Sequence, residues 1–184
     1  FALSYSFTDA QVHQTGNINN VLGVSYREGR VQSGTEGKSI LYDEIQGSPY
    51  ADKTFKEAKI AENYDNAFVR YNSFKDEIEY IDGENIKVVP KDEAFHRVEI
   101  LFTKEVLVYT NLGDEANGYY FEVVGGNTLL FKKVETKYIE SKKASNSYGN
   151  DKPATFRTSP EVYYIKTNGI IQKKKKKEKQ IIEM

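Results

Sequence analysis

The sequence contains no cysteine, no tryptophan and no long run of apolar residues. Without cysteine, the chain can form no disulfide bond, no thiolate zinc site and no cysteine nucleophile. Because no run reaches about 18 apolar residues, no segment is predicted to cross a membrane as a helix. The fold must therefore rest on its own core, and 184 residues are enough for one ordinary domain.

Neither sign of charge dominates, because 26 basic and 27 acidic residues give a formal net charge of −1. This balance does not indicate nucleic-acid binding. The lysines are unevenly placed, however, since Lys173 to Lys177 and Lys179 lie close together near the end of the sequence. This basic segment could contact an anionic surface such as a lipid headgroup, a polyanion or an acidic partner.

Apolar residues make up only 39% of the chain, yet aromatic residues reach 13%, all of them tyrosine or phenylalanine. Tyrosine-rich and β-branched segments fit half-buried strands better than helices. Short segments of this kind recur, and turn signals such as Asp82-Gly83 and Thr167-Asn168-Gly169 separate them. The pattern predicts a mostly β fold, an antiparallel meander that forms a sandwich or a partly open barrel.

Four segments are predicted along the chain. Residues 1–10 resemble the end of a secretory signal peptide, residues 11–37 are a polar arm, and residues 38–171 are a single β-rich domain. Residues 172–184 are rich in strong helix formers and predict a short, lysine-rich C-terminal helix or tail.

The signal-peptide prediction rests on the first ten residues. They are apolar and rich in small residues, and Thr8 and Ala10 are small residues at the two positions that signal peptidases favour. Cleavage there would make Gln11 the first residue of the mature protein. The alternative is a β-strand, because large and small residues alternate through residues 1–7.

Three blocks of sequence carry a resemblance to a known family. They are Ser48-Pro49-Tyr50 followed by Phe55, Arg70-Tyr71-Asn72 followed by Asp76-Glu77-Ile78-Glu79, and Pro153-Ala154-Thr155-Phe156 followed by Tyr163-Tyr164. In this order and spacing, across about residues 48–166, the chain resembles a family of uncharacterised, exported, β-rich proteins of Bacteroidota-type bacteria. The resemblance implies export and a β-rich fold, but no activity and no functional residues.

Asp76, Glu77 and Glu79 are the densest group of carboxylates within a predicted strand. Glu77 and Glu79 fall on the same face, about 6–7 Å apart along the strand, and glycosidase carboxylates can have a comparable separation. A solvated strand face, or cross-strand ion pairs, would produce the same pattern. A carboxylate-dependent hydrolase is therefore an alternative to a structural role.

The candidate interaction surface combines tyrosines and lysines. The pairs Tyr119-Tyr120 and Tyr163-Tyr164 place one ring on each face of a strand, so one ring of each pair is predicted to be exposed. Exposed tyrosine suits recognition of a sugar or a peptide. The candidate residues are Tyr119, Tyr163, Lys173, Lys175 and Lys177. No cofactor or metal is predicted, because His13 and His96 lack the spacing of metal ligands.

These observations favour an exported, non-catalytic binding or structural protein of the cell envelope, in the periplasm, at the outer membrane or outside the cell. An envelope protein, a glycan or an anionic surface would be its partner. The alternatives are a carboxylate-dependent hydrolase that acts on envelope or extracellular polymers, and an envelope-assembly or chaperone-like subunit. The last would hold an apolar ligand in an open β concavity.

Overall fold

The structure is a computed structural model that describes residues 29–32, 38–61, 64–113, 117–144 and 150–175. The predicted signal segment, residues 1–10, lies outside them. The described residues form fourteen strands. They are β1 (Arg30–Gln32), β2 (Ser39–Leu41), β3 (Lys56–Lys59), β4 (Ala67–Asn72), β5 (Glu77–Asp82), β6 (Asn85–Val88), β7 (Arg97–Ile100), β8 (Val106–Thr110), β9 (Gly118–Val124), β10 (Thr128–Lys133), β11 (Thr136–Ile139), β12 (Thr155–Thr158), β13 (Val162–Thr167) and β14 (Ile170–Lys175).

Ten of these strands form one antiparallel sheet in the order β14-β13-β10-β9-β8-β7-β3-β4-β5-β6. Most neighbours are consecutive in the chain, and the two exceptions are β3 beside β7 and β10 beside β13. The sheet is open, with β14 and β6 at its two edges. The prediction of a mostly β, antiparallel fold is therefore confirmed.

The main core lies where the sheet curls onto itself. Tyr71 on β4 and Phe121 on β9 pack edge to face with their ring centroids 5.7 Å apart, although three strands separate β4 from β9 in the sheet. Alternation along each strand directs one set of side chains into this core. The buried members are Ala58, Ile60, Ala67, Val69, Tyr71, Ile78, Tyr80, Val89, Phe95, Val98, Ile100, Leu107, Tyr119 and Phe121.

A second layer covers the outer face of β4 and β5. It contains the two-stranded sheets β1-β2 and β11-β12, and Val31, Tyr42, Ile45 and Phe156 form its own buried cluster. The backbone N–H of Gln46 donates a hydrogen bond to the carbonyl oxygen of Ala154, and the N–H of Phe156 donates one to the carbonyl oxygen of Gln46. These two hydrogen bonds join the segment that follows β2 to β12. Gly47 makes this approach possible, because it has a φ of +89° and a Cβ at its position would overlap the carbonyl oxygen of Phe156.

The helix predicted over residues 172–184 is wrong in its described part, because Ile170–Lys175 forms strand β14. Asn168 and Gly169 have φ values of +49° and +80°, which is the geometry of a two-residue hairpin turn. The turn pairs β14 with β13 along six positions. Ordinary residues differ in helix propensity by less than about 0.7 kcal/mol each. The backbone hydrogen bonds that this segment forms with β13 outweigh so small a preference.

Helical structure in the described residues is limited to two single turns, Tyr42–Glu44 and Glu93–Phe95. None of the helices in this part of the chain is long and apolar enough to cross a membrane.

Candidate functional site

Glu79 is the centre of a buried polar network on the outer face of β4 and β5. Its side chain is 0% exposed, and its Oε2 accepts a hydrogen bond from Nε of Arg70 at 2.7 Å and forms an ion pair with Nη2 at the same distance. Its Oε1 accepts a bond from Nδ2 of Asn72 at 2.9 Å. A solvated face is therefore wrong at Glu79, because the second layer covers this part of the sheet, whereas the alternative of a cross-strand ion pair is confirmed, since Arg70 on β4 lies directly opposite Glu79 on β5.

Arg70 joins this network to the second layer. Its guanidinium lies 3.9 Å from the ring centroid of Tyr50 and 4.3 Å from that of Phe55, and Nη2 donates to the Tyr50 hydroxyl at 2.7 Å. The ring of Phe156 packs 5.3 Å from that of Phe74, beside the same segment. The three sequence blocks that carry the family resemblance thus meet in space, where their residues hold the two layers together.

Asp76 forms a second network, which links the turn between β4 and β5 to β9 and β10. Its Oδ1 accepts hydrogen bonds from the Tyr71 hydroxyl and from Nζ of Lys133, both at 2.7 Å. The backbone N–H of Tyr119 donates to the same carboxylate at 3.2 Å. Gly118 permits this approach, since a Cβ there would be 2.7 Å from Oδ2 of Asp76.

The predicted carboxylate cluster is therefore divided between separate partners. Asp76 pairs with Lys133 and Glu79 with Arg70, whereas Glu77 is half-buried and burial raises its pKa. This arrangement differs from that of glycosidases, in which two carboxyl groups flank one bond of the substrate. Within the described residues, no group of three or more His, Asp or Glu side chains is placed to hold a metal ion.

The predicted exposure of one ring in the pair Tyr119 and Tyr120 is wrong, since the two residues are 1% and 2% exposed. Strand β9 is covered on both faces. Tyr119 packs against Tyr71 in the main core, while Tyr120 packs against Tyr164 on the opposite face. Tyr119 is consequently a core residue and cannot contact a partner in this fold.

Tyr163 is half-buried on β13, next to the edge strand. Its hydroxyl donates a hydrogen bond to Oε2 of Glu161 at 2.8 Å. Burial, together with this bond, raises the pKa of Tyr163 to about 12. The hydroxyl of this predicted surface residue therefore already has a partner within the protein.

The predicted lysines lie on β14, at the edge of the sheet. Lys173 and Lys174 are exposed, and Nζ of Lys173 is 5.5 Å from the ring centroid of Tyr164. Lys175 continues the strand opposite Val162, and Lys177 lies outside the described residues. We call Lys173, Lys174 and Lys175 the basic edge. The turn signal at Asn168-Gly169 could have identified this strand, and with it Lys174, from the sequence.

Several open clefts border the described sheet, and two of them have mixed linings. One, of about 470 Å³, lies between the second layer and the β5–β6 hairpin and is lined in part by Tyr42, Tyr50 and Ile86. The other, of about 400 Å³, has Phe121 on its apolar side and Lys132 among its charged residues. Both linings combine apolar, polar and charged side chains.

No family model matches the chain, and neither a curated protein nor a solved structure is significantly similar to it. The class of the protein is thus given by its architecture, an open antiparallel sheet of ten strands with two small hairpin sheets. Among the predicted surface residues, the structure places Tyr163 on β13 and both Lys173 and Lys175 on the neighbouring strand β14, and it places Tyr119 in the core. Tyr163 lies opposite Lys174, so its side chain is on the other face of the sheet from that of Lys173.

The buried tyrosines predict a loss of stability at alkaline pH. Burial raises the pKa of Tyr42 from 10.0 to about 12, and it raises the pKa of Tyr71 and Tyr119 well above the ordinary range. The unfolded chain releases these protons near pH 10.0, whereas the folded chain keeps them. The stabilisation is therefore complete below pH 10 and decreases as the pH rises toward about 12.

Denaturant titrations across this pH range, followed by circular dichroism, would measure that decrease. Tyr42→Phe should make the decrease shallower, because phenylalanine does not titrate. Full tyrosinate absorbance reached near pH 10.0, in a chain that keeps its native circular dichroism, would contradict the prediction.

Proposed function

We propose that the protein is an exported, non-catalytic binding or structural module of the cell envelope, and that the basic edge is its interaction surface. The observation that carries this proposal is the contrast between two sets of charged residues. Arg70, Asp76 and Glu79 are bound to one another or to Lys133 inside the fold. Lys173 and Lys174 are exposed on β14, the last strand in the order of the ten-stranded sheet.

The internal networks support a non-catalytic role for the carboxylates. A hydrolase would need two carboxylates that both reach a substrate. Glu79 is fully buried beneath Arg70 and Asn72, and Asp76 is occupied by Tyr71, Lys133 and the backbone of Tyr119. Withdrawing either carboxylate toward a substrate would leave a cation without its partner in a partly buried site, which is unfavourable.

Two features of the sequence support export. The first ten residues resemble the end of a signal peptide, and the chain resembles exported proteins of Bacteroidota-type bacteria. A fold built without cysteine depends on no redox environment, so it suits any compartment beyond the inner membrane.

Fractionation of cells that express the protein with its natural upstream sequence tests export. We expect the protein in the periplasmic, outer-membrane or medium fraction, with an N-terminus at Gln11 by intact mass and terminal sequencing. Cytoplasmic and periplasmic marker enzymes in the same preparation control for leakage. Recovery with the cytoplasmic marker and an uncleaved N-terminus would contradict the proposal.

A further inference from the structure

Four of the seven large apolar side chains that are exposed in the described part of the chain lie at one end of the ten-stranded sheet. They belong to the three hairpin loops β7–β8, β9–β10 and β13–β14, whose tips are residues 101–103, 123–128 and 167–170. Phe102 is 92% exposed at the first tip, and Ile170 is 66% exposed at the third. Val123 and Val124, at the second, are each 50% exposed. Exposed apolar side chains that gather at one end of a fold indicate a contact with a partner, whereas scattered single ones do not.

The three tips extend equally far along their strands. One row of paired residues crosses all six strands, from Glu99 on β7 to Lys173 on β14. Phe102, Thr128 and Ile170 each lie three residues beyond this row, which is about 10 Å along an extended strand. The tips are therefore level with one another in the register of the sheet. Two strand spacings, again about 10 Å, separate each tip from the next.

Charge is absent from the tips and present directly behind them. Residues 101–103, 123–128 and 167–170 include no acidic or basic residue. Lys104 follows the first tip, 3.5 Å from Glu99, and Lys166 precedes the third. The acid that precedes the second tip, Glu122, accepts two hydrogen bonds of 3.1 Å from Arg97. Apolar side chains thus stand at the end of the sheet, with lysines one position further back.

We propose that the three tips insert together into the surface of a phospholipid bilayer and attach the protein to a membrane. Phe102, Ile170 and the two valines of the second tip would enter the boundary between headgroups and acyl chains, where removal of apolar surface from water is favourable. Lys104 and Lys166 would extend their ammonium groups to the lipid phosphates. The inference goes beyond the proposed role of the basic edge, because it uses different residues and depends on apolar contact.

The arrangement of the tips favours a bilayer over a second copy of the chain. Level protrusions from three separate hairpins can contact one flat surface at the same time. Polar turn residues such as Asn127 and Asn168, which are exposed, stay hydrated among headgroups. A two-fold contact between copies would set the same patch of each against the other, so that lysines would approach lysines, which is unfavourable.

Sedimentation of the full chain with phosphatidylcholine vesicles tests the proposal. We expect binding that changes less than about twofold between low and high salt, because insertion of apolar side chains depends little on screened charges. The double variant Phe102→Ser, Ile170→Ser should weaken this binding by at least about tenfold. No binding of the unchanged chain, or equal binding of the double variant, would overturn the proposal.

The double variant Phe68→Ser, Ile139→Ser is the matched control. It removes the same two residue types from β4 and β11, outside the three hairpins, and both side chains are exposed there. The control should bind vesicles as the unchanged chain does. Thermal unfolding followed by circular dichroism should give the tip variant an unchanged melting temperature, because exposed side chains contribute little to stability. Equal weakening by both double variants would reduce the effect to general hydrophobicity and overturn the site.

A tryptophan at the first tip reports its surroundings directly, because the natural sequence contains none. The emission of Phe102→Trp should shift to shorter wavelength when vesicles are added, and lipids with brominated acyl chains should quench it. The emission of Phe68→Trp should not change. An unchanged emission of Phe102→Trp in the presence of vesicles, or an equal shift of both variants, would contradict insertion of this tip.

Two further results would assign the contact differently. Binding only to phosphatidylglycerol vesicles, with loss at high salt, would make it a contact of surface charge and overturn insertion. A dimer in sedimentation velocity that Phe102→Ser dissociates, without binding to vesicles, would make the tips an interface between copies and overturn the membrane proposal. These measurements use purified protein, so their failure is distinct from a failure of export in the fractionation experiment.

Discussion

Replacing Arg70 with alanine should lower the free energy of unfolding by about 3–5 kcal/mol. The substitution leaves Glu79 as a fully buried carboxylate without its cation. It also removes the guanidinium that packs against the rings of Tyr50 and Phe55, which is one of the contacts between the second layer and the sheet. Urea denaturation followed by circular dichroism would measure the loss.

The pair Arg97 and Glu122 provides a matched control. It has the same residue types and two hydrogen bonds, both 3.1 Å long, but its side chains are 47% and 19% exposed. Solvent screens such a pair, so Arg97→Ala should cost less than about 1 kcal/mol. Equal losses for Arg70→Ala and Arg97→Ala would show that burial of the first pair has no special effect.

A double variant isolates the coupling between the two charges. Arg70→Met retains a flexible apolar side chain between the rings, and Glu79→Gln retains an acceptor for Asn72. Together they should cost less than the sum of the single substitutions by about 0.5–3 kcal/mol, because each single substitution leaves one buried charge without its partner and the double variant leaves none. Strict additivity would contradict a direct interaction between Arg70 and Glu79.

The strands could be predicted wherever the signal is local. Asp82-Gly83 predicts a hairpin, and β5 and β6 meet there with Gly83 at a φ of +60°. The same holds for Gly125-Gly126-Asn127 between β9 and β10. In each case, alternation and turn chemistry lie within one short segment, so the residues that specify the hairpin are the residues that form it.

The coverage of each face could not be predicted in the same way. Alternation shows that Glu77 and Glu79 share a face, but the cover over Glu79 comes from distant segments around Tyr50 and Phe156. Tyr119 and Tyr120 are both buried for a similar reason, since β9 has apolar clusters on either side. Burial of this kind depends on contacts between residues far apart in the chain. The alternation of apolar and polar residues along one strand does not reveal such contacts.

Replacing Asp76 with alanine should destabilise the fold by about 3 kcal/mol. The variant removes the acceptor of the Tyr71 hydroxyl, of Nζ of Lys133 and of the Tyr119 N–H, all of which lie in a partly buried site. It also places alanine at a φ of +57°, a left-handed conformation that aspartate tolerates better. Denaturant unfolding would measure the combined effect.

A series at this position separates the side chain from the backbone. Asp76→Gly loses the same contacts but accommodates the positive φ, so it should be more stable than Asp76→Ala by about 1 kcal/mol. Lys104 is the control, because it has the same φ of +57° and a side chain that is 72% exposed. Lys104→Gly should likewise be more stable than Lys104→Ala by about 1 kcal/mol, although either substitution removes few contacts.

Substitution of Gly118 tests whether Asp76 and β9 are in direct contact. A Cβ at this position would be 2.7 Å from Oδ2 of Asp76 and 2.9 Å from Nζ of Lys133, so Gly118→Ala should cost about 1–3 kcal/mol. In the Asp76→Gly background the nearest obstacle is gone and lysine can move aside, so the same substitution should cost much less. An equal cost in both backgrounds would mean that Gly118 is required for another reason and that the turn between β4 and β5 does not depend on this contact.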